Sequence, residues 1–183
     1  MTKHTPRLPI LAKVLIGIVL VALPIPFLAT VWALLGMDAN RGGNALEWQG
    51  QAAPELVVST IDGRSLRLSD LKGQRVIVDF WATWCPPCVR EIPHFQQLSE
   101  EFDDDELIVI GVSTEDAATV RAFATSHQIT YPLGNPVQIE PPFTDINAVP
   151  TTIFIDHRGF IETVLQGYHS YNDLRSRAIG PVD

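Results

Sequence analysis

The stretch VDFWATWCPPC occupies residues 78–88 of the chain and joins two different hydrophobic patterns. An apolar run rich in β-branched residues covers residues 75–81 and predicts a central strand buried on both faces. After the stretch, apolar residues recur at helical spacing, as Val89, Ile92, Phe95, Leu98 and Phe102. Cys85 and Cys88 are therefore predicted where a buried strand gives way to a helix.

This position predicts redox chemistry for the two cysteines. A cysteine in the first turn of a helix faces unpaired backbone N–H groups and the positive end of the helix dipole, which favours its thiolate. Cys85 is therefore predicted to attack, and Cys88, one turn further along, to resolve the mixed disulfide. Pro86 and Pro87 suit a first helical turn, whose N–H groups have no intrahelical use, and they stiffen the loop that the sulfurs share.

The cysteine count excludes other types of site. The chain has only two cysteines, and a bridge between them closes almost no loop, so a structural disulfide framework is excluded. A zinc site would need two further ligands, and the five histidines show no His-x3-His spacing. We therefore predict neither a metal nor a cofactor.

The N-terminal region has the pattern of a membrane anchor. No charged residue occurs in residues 14–37, a run long enough to cross a bilayer as a helix. Three basic residues precede this run, and the first acidic residue, Asp38, follows it, so the rest of the chain is expected outside the cytoplasm. The basic residues are Lys3, Arg7 and Lys13. A cleaved signal peptide is the alternative to an anchor.

The pattern divides the chain into four parts. They are a cytoplasmic tail at residues 1–13, a transmembrane anchor at 14–37, a glycine-containing linker at 38–51 and a folded domain at 52–183. Residues 38–183 hold all 21 acidic residues but only 10 basic ones, a formal charge of −11. This charge argues against nucleic acid as a partner.

Strand and helix patterns alternate along the folded domain. A hairpin opens it, with strands at residues 56–59 and 66–68 across the Asp62-Gly63 turn. The other elements predicted are a strand at 107–112, a helix at 117–127, a strand at 153–155, its hairpin partner at 160–166 and a last helix from Ser170, with Asp173 three residues on. These elements predict a mixed α/β sheet with helices on both faces.

Residues 78–88 closely resemble the active-site stretch of the thioredoxin superfamily, and its membrane-tethered TlpA/ResA-type branch most of all. The likeness continues through residues 90–93, and it returns at residues 149–156 with Gly159. It spans about residue 53 to the C-terminus. The resemblance implies a thioredoxin-like mixed sheet flanked by helices, preceded by an N-terminal hairpin and one transmembrane helix.

The resemblance also implies roles for single residues. Pro150 is similar to the family's cis-proline, which lies beside the sulfurs and aligns the backbone of Val149 with the substrate. Asp79 matches the buried acid that transfers protons in thioredoxin, and Glu91 matches a glutamate of ResA-type proteins. Which carboxylate carries the proton stays open, and Glu91 is equally expected as an exposed helix residue. Trp84 and Trp81 flank the sulfurs and are expected to cover them, and the predicted substrate-binding set is Trp84, Pro86, Pro87, Val149 and Pro150.

The function implied by the resemblance is a thiol-disulfide oxidoreductase on the periplasmic side of the inner membrane. Its expected substrates are disulfides of exported proteins, such as apocytochrome c or a copper-site protein, and its expected electron donor is a membrane thiol carrier. A peroxiredoxin-like peroxidase is one alternative, but the Pro-x3-Thr-x2-Cys loop is missing, since Thr83 stands two residues before Cys85. A copper carrier using both cysteines and a distant histidine is the other.

Overall fold

The computed structural model describes residues 45–180. The predicted tail, the predicted anchor and the first half of the predicted linker lie outside these residues. Of the helices in the described part, none is both long enough and apolar enough to span a bilayer.

One seven-stranded mixed sheet forms the centre of the domain, in the order β2-β1-β5-β4-β3-β6-β7. Strands β3, β4 and β5 run parallel to one another, and all other neighbouring pairs are antiparallel. The strands are β1 (Leu56–Thr60), β2 (Ser65–Arg67), β3 (Arg75–Phe80), β4 (Leu107–Val112), β5 (Leu133–Ile139), β6 (Thr151–Ile155) and β7 (Ile161–Gln166).

Three α-helices pack on one face of this sheet, which we call the helix face. They are α1 (Pro86–Glu101), α2 (Ala117–Ser126) and α3 (Tyr171–Ile179). Their buried residues share one apolar core with Ile77 of β3 and Val109 of β4. The prediction of α-helices on both faces is therefore wrong. Connections between parallel strands are right-handed as a rule, and β3-α1-β4 and β4-α2-β5 step in the same direction along the sheet, which accounts for both helices lying on the same face.

Short 3₁₀-helices cover the opposite face. They span Ala45–Trp48, Leu68–Leu71 and Phe143–Asp145, and each buries one large apolar side chain, namely Trp48, Leu68 and Phe143. These side chains pack in a second core with alternate residues of β3 and β4, including Val78 and Ile110. Both faces of β3 are thus buried, as its continuous apolar run predicted.

The last residues of the predicted linker belong to the folded domain. Trp48 is buried, the N–H of Gly50 donates to the carbonyl of Ile161 at 2.8 Å, and the N–H of Ile161 donates to Gln51 at 2.9 Å. Burial of a tryptophan and two backbone hydrogen bonds offset the ordering of this segment. The domain therefore begins before residue 52, where the sequence placed its boundary.

Strand β5 was not predicted, because Gly134 and Pro136 made its sequence resemble a loop. A side chain at position 134 would not fit, since a Cβ there would lie 2.3 Å from the carbonyl oxygen of Ser59. Pro136 pairs with Val58 at a register shift between β1 and β5. The remaining predicted elements are confirmed, including the capping box of Ser170 and Asp173 at the start of α3.

Candidate active site

The two cysteines lie at the junction of β3 and α1, as predicted. Cys85 is the N-cap of α1, and its Sγ accepts a hydrogen bond from the backbone N–H of Cys88 at 3.3 Å. Pro86 and Pro87 fill the first two positions of the helix. The sulfurs are bonded to each other as a disulfide, with the Cα atoms 5.3 Å apart. A Cys85 thiolate at this position would lie at the positive end of the helix dipole.

The disulfide is nearly buried, and the segment around Val149 packs beside it. Both cysteines are nearly buried, with 3% of Cys85 and 1% of Cys88 exposed. The carbonyl oxygen of Val149 lies 3.7 Å from Sγ of Cys85, and the Val149–Pro150 peptide bond is cis, as the resemblance implied. Pro150 itself is buried. The backbone of Val149 therefore lies against Cys85.

A groove of about 240 Å³ lies beside Val149. It is lined by Phe80, Trp81, Trp84, Val112, Thr114, Ile146, Asn147, Ala148 and Val149. The side chain of Trp84 is 71% exposed. Most of the Trp84 side chain therefore faces solvent beside the groove, and its covering of the sulfurs stays a prediction. Trp81 is buried instead, with its ring centroid 5.3 Å from that of Phe123.

Asp79 is buried on the helix face of β3. Its side chain shares this face with Ile77 and Trp81, which belong to the same core as Cys88. The hydroxyl of Thr152 donates to Oδ1 of Asp79 at 3.4 Å. Burial raises the pKa of Asp79 well above its usual value, and the nearby charge of Glu91 raises it further, whereas the hydrogen bond from Thr152 acts in the opposite direction. The strand therefore carries a carboxyl group that holds its proton more tightly than usual.

Glu91 is also buried, with none of its surface exposed. It follows Cys88 by three residues on the face of α1 that packs against the sheet. The backbone N–H of His169 donates to Oε1 at 2.6 Å. Burial raises the pKa of Glu91 to about 7, against the lowering effects of the His169 N–H and the Arg90 charge. The alternative interpretation of Glu91 as an exposed helix residue is wrong.

The comparisons with known proteins agree with this geometry. The sequence model of the AhpC/TSA family matches residues 49–164, more than half of the chain. The chain belongs to the AhpC/TSA family. The thiol-disulfide oxidoreductase ResA of Oceanobacillus iheyensis is 34% identical over 145 residues, which cover 76% of this chain and 74% of ResA. The thioredoxin-like protein YneN of Bacillus subtilis is 32% identical over 133 residues, 70% of this chain and 78% of YneN.

A solved structure leads to the same conclusion. The thiol:disulfide interchange protein of the thioredoxin family from Chlorobium tepidum superposes with a TM-score of 0.60 at 29% identity, over 68% of this chain and 91% of that protein. The predicted thioredoxin-like fold and ResA-like family are therefore confirmed. The AhpC/TSA family member described here is a thiol-disulfide oxidoreductase, and it acts on disulfides.

The alternatives to this oxidoreductase have little support in the structure. A peroxidase would need a threonine hydroxyl directed at its cysteine, but the hydroxyl of Thr83 donates to Glu115 at 2.7 Å. A copper carrier would need a third ligand beside the cysteines. Between residues 45 and 180, no group of three or more His, Cys, Asp and Glu side chains is placed to hold a metal ion.

Glu115 is a residue of the oxidoreductase site that the sequence did not reveal. Its carboxylate accepts hydrogen bonds from the backbone N–H and the hydroxyl of Thr83, both at 2.7 Å, and from the hydroxyl of Ser113 at 3.2 Å. The side chain of Asn135 donates to the carbonyl oxygens of Ser113 and Glu115. Glu115 thereby ties the loop before Cys85 to the ends of β4 and β5.

The burial of Glu91 predicts a pH-dependent stability. The unperturbed pKa is 4.5 and the folded-state pKa about 7, so the folded state binds more protons in this interval and loses stability as the pH rises through it. The loss amounts to about 3 kcal/mol and is complete above the folded pKa. As the pH rises through this interval, the free energy of unfolding of Glu91→Gln should fall by about 3 kcal/mol less than that of the wild type, because glutamine has no proton to lose.

Urea unfolding below pH 4.5 and above pH 7 measures this difference. Glu100→Gln is the matched control, because Glu100 lies on the same helix with an exposed side chain and should leave the pH dependence as in the wild type. Equal pH dependence in Glu91→Gln and the wild type would contradict the role given to burial.

Proposed function

We propose that this oxidoreductase is a membrane-tethered reductase of disulfides in exported proteins, with Cys85 as the attacking sulfur. The observation that carries the proposal is the position of Cys85 at the N-cap of α1, beside the groove next to Val149 and Trp84. A sulfur at this position is stabilised as a thiolate and is also the one that a partner reaches.

In the first step, the Cys85 thiolate attacks a disulfide of the substrate. The substrate S–S bond breaks, a mixed disulfide forms on Cys85, and the departing substrate thiolate takes a proton from solvent. The backbone N–H of Cys88, which donates to Sγ of Cys85, supports the negative charge before the attack. The exposed ring of Trp84 and the backbone of Val149 are the proposed contacts that align the substrate.

In the second step, Cys88 resolves the mixed disulfide. Its thiol gives a proton to the carboxylate of Asp79 and its sulfur attacks Sγ of Cys85, which forms the Cys85–Cys88 disulfide and releases the second substrate sulfur as a thiolate that is then protonated. Two electrons and two protons have then passed to the substrate. A carboxyl with a raised pKa suits this task, because its affinity for protons approaches that of a thiol.

The next turnover needs a dithiol donor that reduces the Cys85–Cys88 disulfide. A membrane thiol carrier is the proposed donor, and apocytochrome c or a copper-site protein is the proposed substrate class. The ResA relatives support the thiol-disulfide chemistry, and the predicted anchor supports a donor in the membrane. The formal charge of −11 on residues 38–183 favours substrates with basic surfaces near their disulfides.

The location of the domain has its own test. A reporter enzyme fused after Asp183, of a type active only outside the cytoplasm, should be active, and the protein should stay with membranes after an alkaline wash. The reason is the uncharged run at residues 14–37 behind three basic residues. Release of a shortened soluble form would show that this run is a cleaved signal peptide.

A further inference from the structure

Three buried polar atoms near the cysteines have no hydrogen-bond partner within residues 45–180. They are Oε2 of Glu91, the hydroxyl oxygen of Tyr131 and Nε1 of Trp81. Tyr131 lies between α2 and β5 and was not singled out from the sequence. The mechanism proposed above uses neither its hydroxyl nor the free oxygen of Glu91.

The fold brings these groups to one place on the helix face. Asp79 and Trp81 project from the same side of β3, and Gly111 is the neighbour of Asp79 on β4. A Cβ at Gly111 would lie 3.0 Å from Nε1 of Trp81 and 2.3 Å from Leu133. The segment that carries Tyr131 and Leu133 therefore passes beside Asp79 and Trp81.

Helix α1 closes the group from the other side. The ring of Tyr131 packs edge-on against Phe95, with the ring centroids 6.4 Å apart. Phe95 follows Glu91 by one turn on the buried face of α1. The phenol of Tyr131 thus lies between the helix that carries Glu91 and the strand that carries Asp79.

Buried polar atoms are rarely left without partners, because each would forgo the hydrogen bonds that it makes in water. Buried water commonly supplies such bonds when several polar groups converge. The indole N–H donates, the free oxygen of Glu91 accepts, and the hydroxyl of Tyr131 does both. Together these donors and acceptors can make the hydrogen bonds of a bound water.

We propose that Tyr131 is a positioning residue for proton transfer, whose hydroxyl joins Asp79 to Glu91 through buried water. The inference rests on the proposed reductase function. A proton taken from Cys88 by Asp79 passes through buried water to the hydroxyl oxygen of Tyr131, while the phenol gives its own proton through water to Glu91. Tyr131 is unchanged at the end, and the proton leaves from Glu91 near the exposed segment before His169.

The charges around Tyr131 favour a phenol that passes protons on over a phenolate that takes them up. Burial, with the charges of Asp79 and Glu91, raises the pKa of Tyr131 well above its usual value, so the phenol stays protonated. Arg90 is the nearby cation and acts on Glu91. Strands β4, β5 and β6 carry no charged residue, and α2 and α3 pack against this core through apolar side chains.

The test removes only the hydroxyl, in Tyr131→Phe of the full-length protein. NMR titration of the Glu91 side-chain carboxyl carbon in the disulfide state, with Glu91→Gln identifying the signal, needs no catalysis. Because a lost donor disfavours the ionised carboxylate, its midpoint should rise by about one pH unit from about 7. In single turnovers, the resolving step should slow about tenfold while the attack by Cys85 stays unchanged.

Tyr171→Phe is the matched control, because its hydroxyl donates to Glu101 on the surface. Tyr171→Phe should change neither the Glu91 titration midpoint nor the rate of the resolving step. An unchanged Glu91 midpoint in Tyr131→Phe, or equal slowing of both steps, would overturn the relay. Failure of the wild type to reduce a disulfide would instead overturn the proposed function and leave the titration as the test of the contact.

Discussion

Replacing Cys85 by serine is expected to abolish disulfide reduction, with a loss of at least about a thousandfold in rate. The hydroxyl of serine has far too high a pKa to be ionised by a helix N-terminus, so no nucleophile remains beside the groove. The measurement is the initial rate of reduction of a disulfide-bonded peptide with dithiothreitol as donor, corrected for the rate of dithiothreitol alone.

Cys88→Ser is the matched control for this prediction. The chain has only two cysteines, so each variant leaves a single thiol and the two sulfurs can be compared directly. In a single turnover without dithiothreitol, Cys88→Ser should still attack the peptide but stop at the mixed disulfide, because the variant has no second sulfur to release it. Full catalytic activity in Cys85→Ser would disprove the assignment of the attacking sulfur.

Replacing Asp79 by asparagine has the second-largest expected effect, on the resolving step alone. Without the carboxylate, the Cys88 thiol has no buried proton acceptor, and the step should slow by about a hundredfold near neutral pH. Loss of a buried negative charge also makes the thiolate easier to form, so the apparent pKa of Cys88 should fall. The difference in resolving rate between Asp79→Asn and the wild type should therefore shrink as the pH rises, because the Cys88 thiol then ionises without the carboxylate.

Single-turnover rates across a pH series test this prediction, with Glu91→Gln measured in parallel. Both carboxyl groups are buried, so burial alone does not choose between them. Asp79 is the favoured proton acceptor because burial and the nearby charge of Glu91 together raise the pKa of its carboxyl well above the usual value. A changed pH profile in Glu91→Gln with an unchanged profile in Asp79→Asn would reverse the assignment. The glutamate would then be the proton carrier.

Local patterns were sufficient to predict much of the fold. The apolar run of β3 and the helical spacing after Cys88 placed the junction that carries the cysteines. The capping box at Ser170 also depends only on neighbouring residues. Strand β5 escaped prediction because its pairing with β1 and β4 outweighs the poor strand preference of Gly134 and Pro136. The 3₁₀-helices have no periodic pattern of their own.

Some residues of the candidate site could likewise be predicted from local sequence, and others could not. The cysteines and Pro150 stand in recognisable sequence contexts. The burial of Glu91 had a usable signal, since position 91 shares a helix face with Cys88 and Phe95. The hydrogen bonds between Thr83 and Glu115 join residues that are 32 positions apart in the chain. The position of Tyr131 depends on β5, which was not predicted. Contacts of this kind follow from topology, which no local pattern encodes.

The central claim is that Cys85 is the sulfur that attacks a substrate disulfide and Cys88 the one that resolves it. Mass spectrometry under non-reducing conditions tests it most directly, on reduced Cys88→Ser mixed with a disulfide-bonded peptide. The account predicts that one peptide arm becomes attached to Cys85, whereas the wild type accumulates no adduct and ends as the Cys85–Cys88 disulfide. An adduct that forms on Cys88 of Cys85→Ser as fast as on Cys85 of Cys88→Ser would contradict the account.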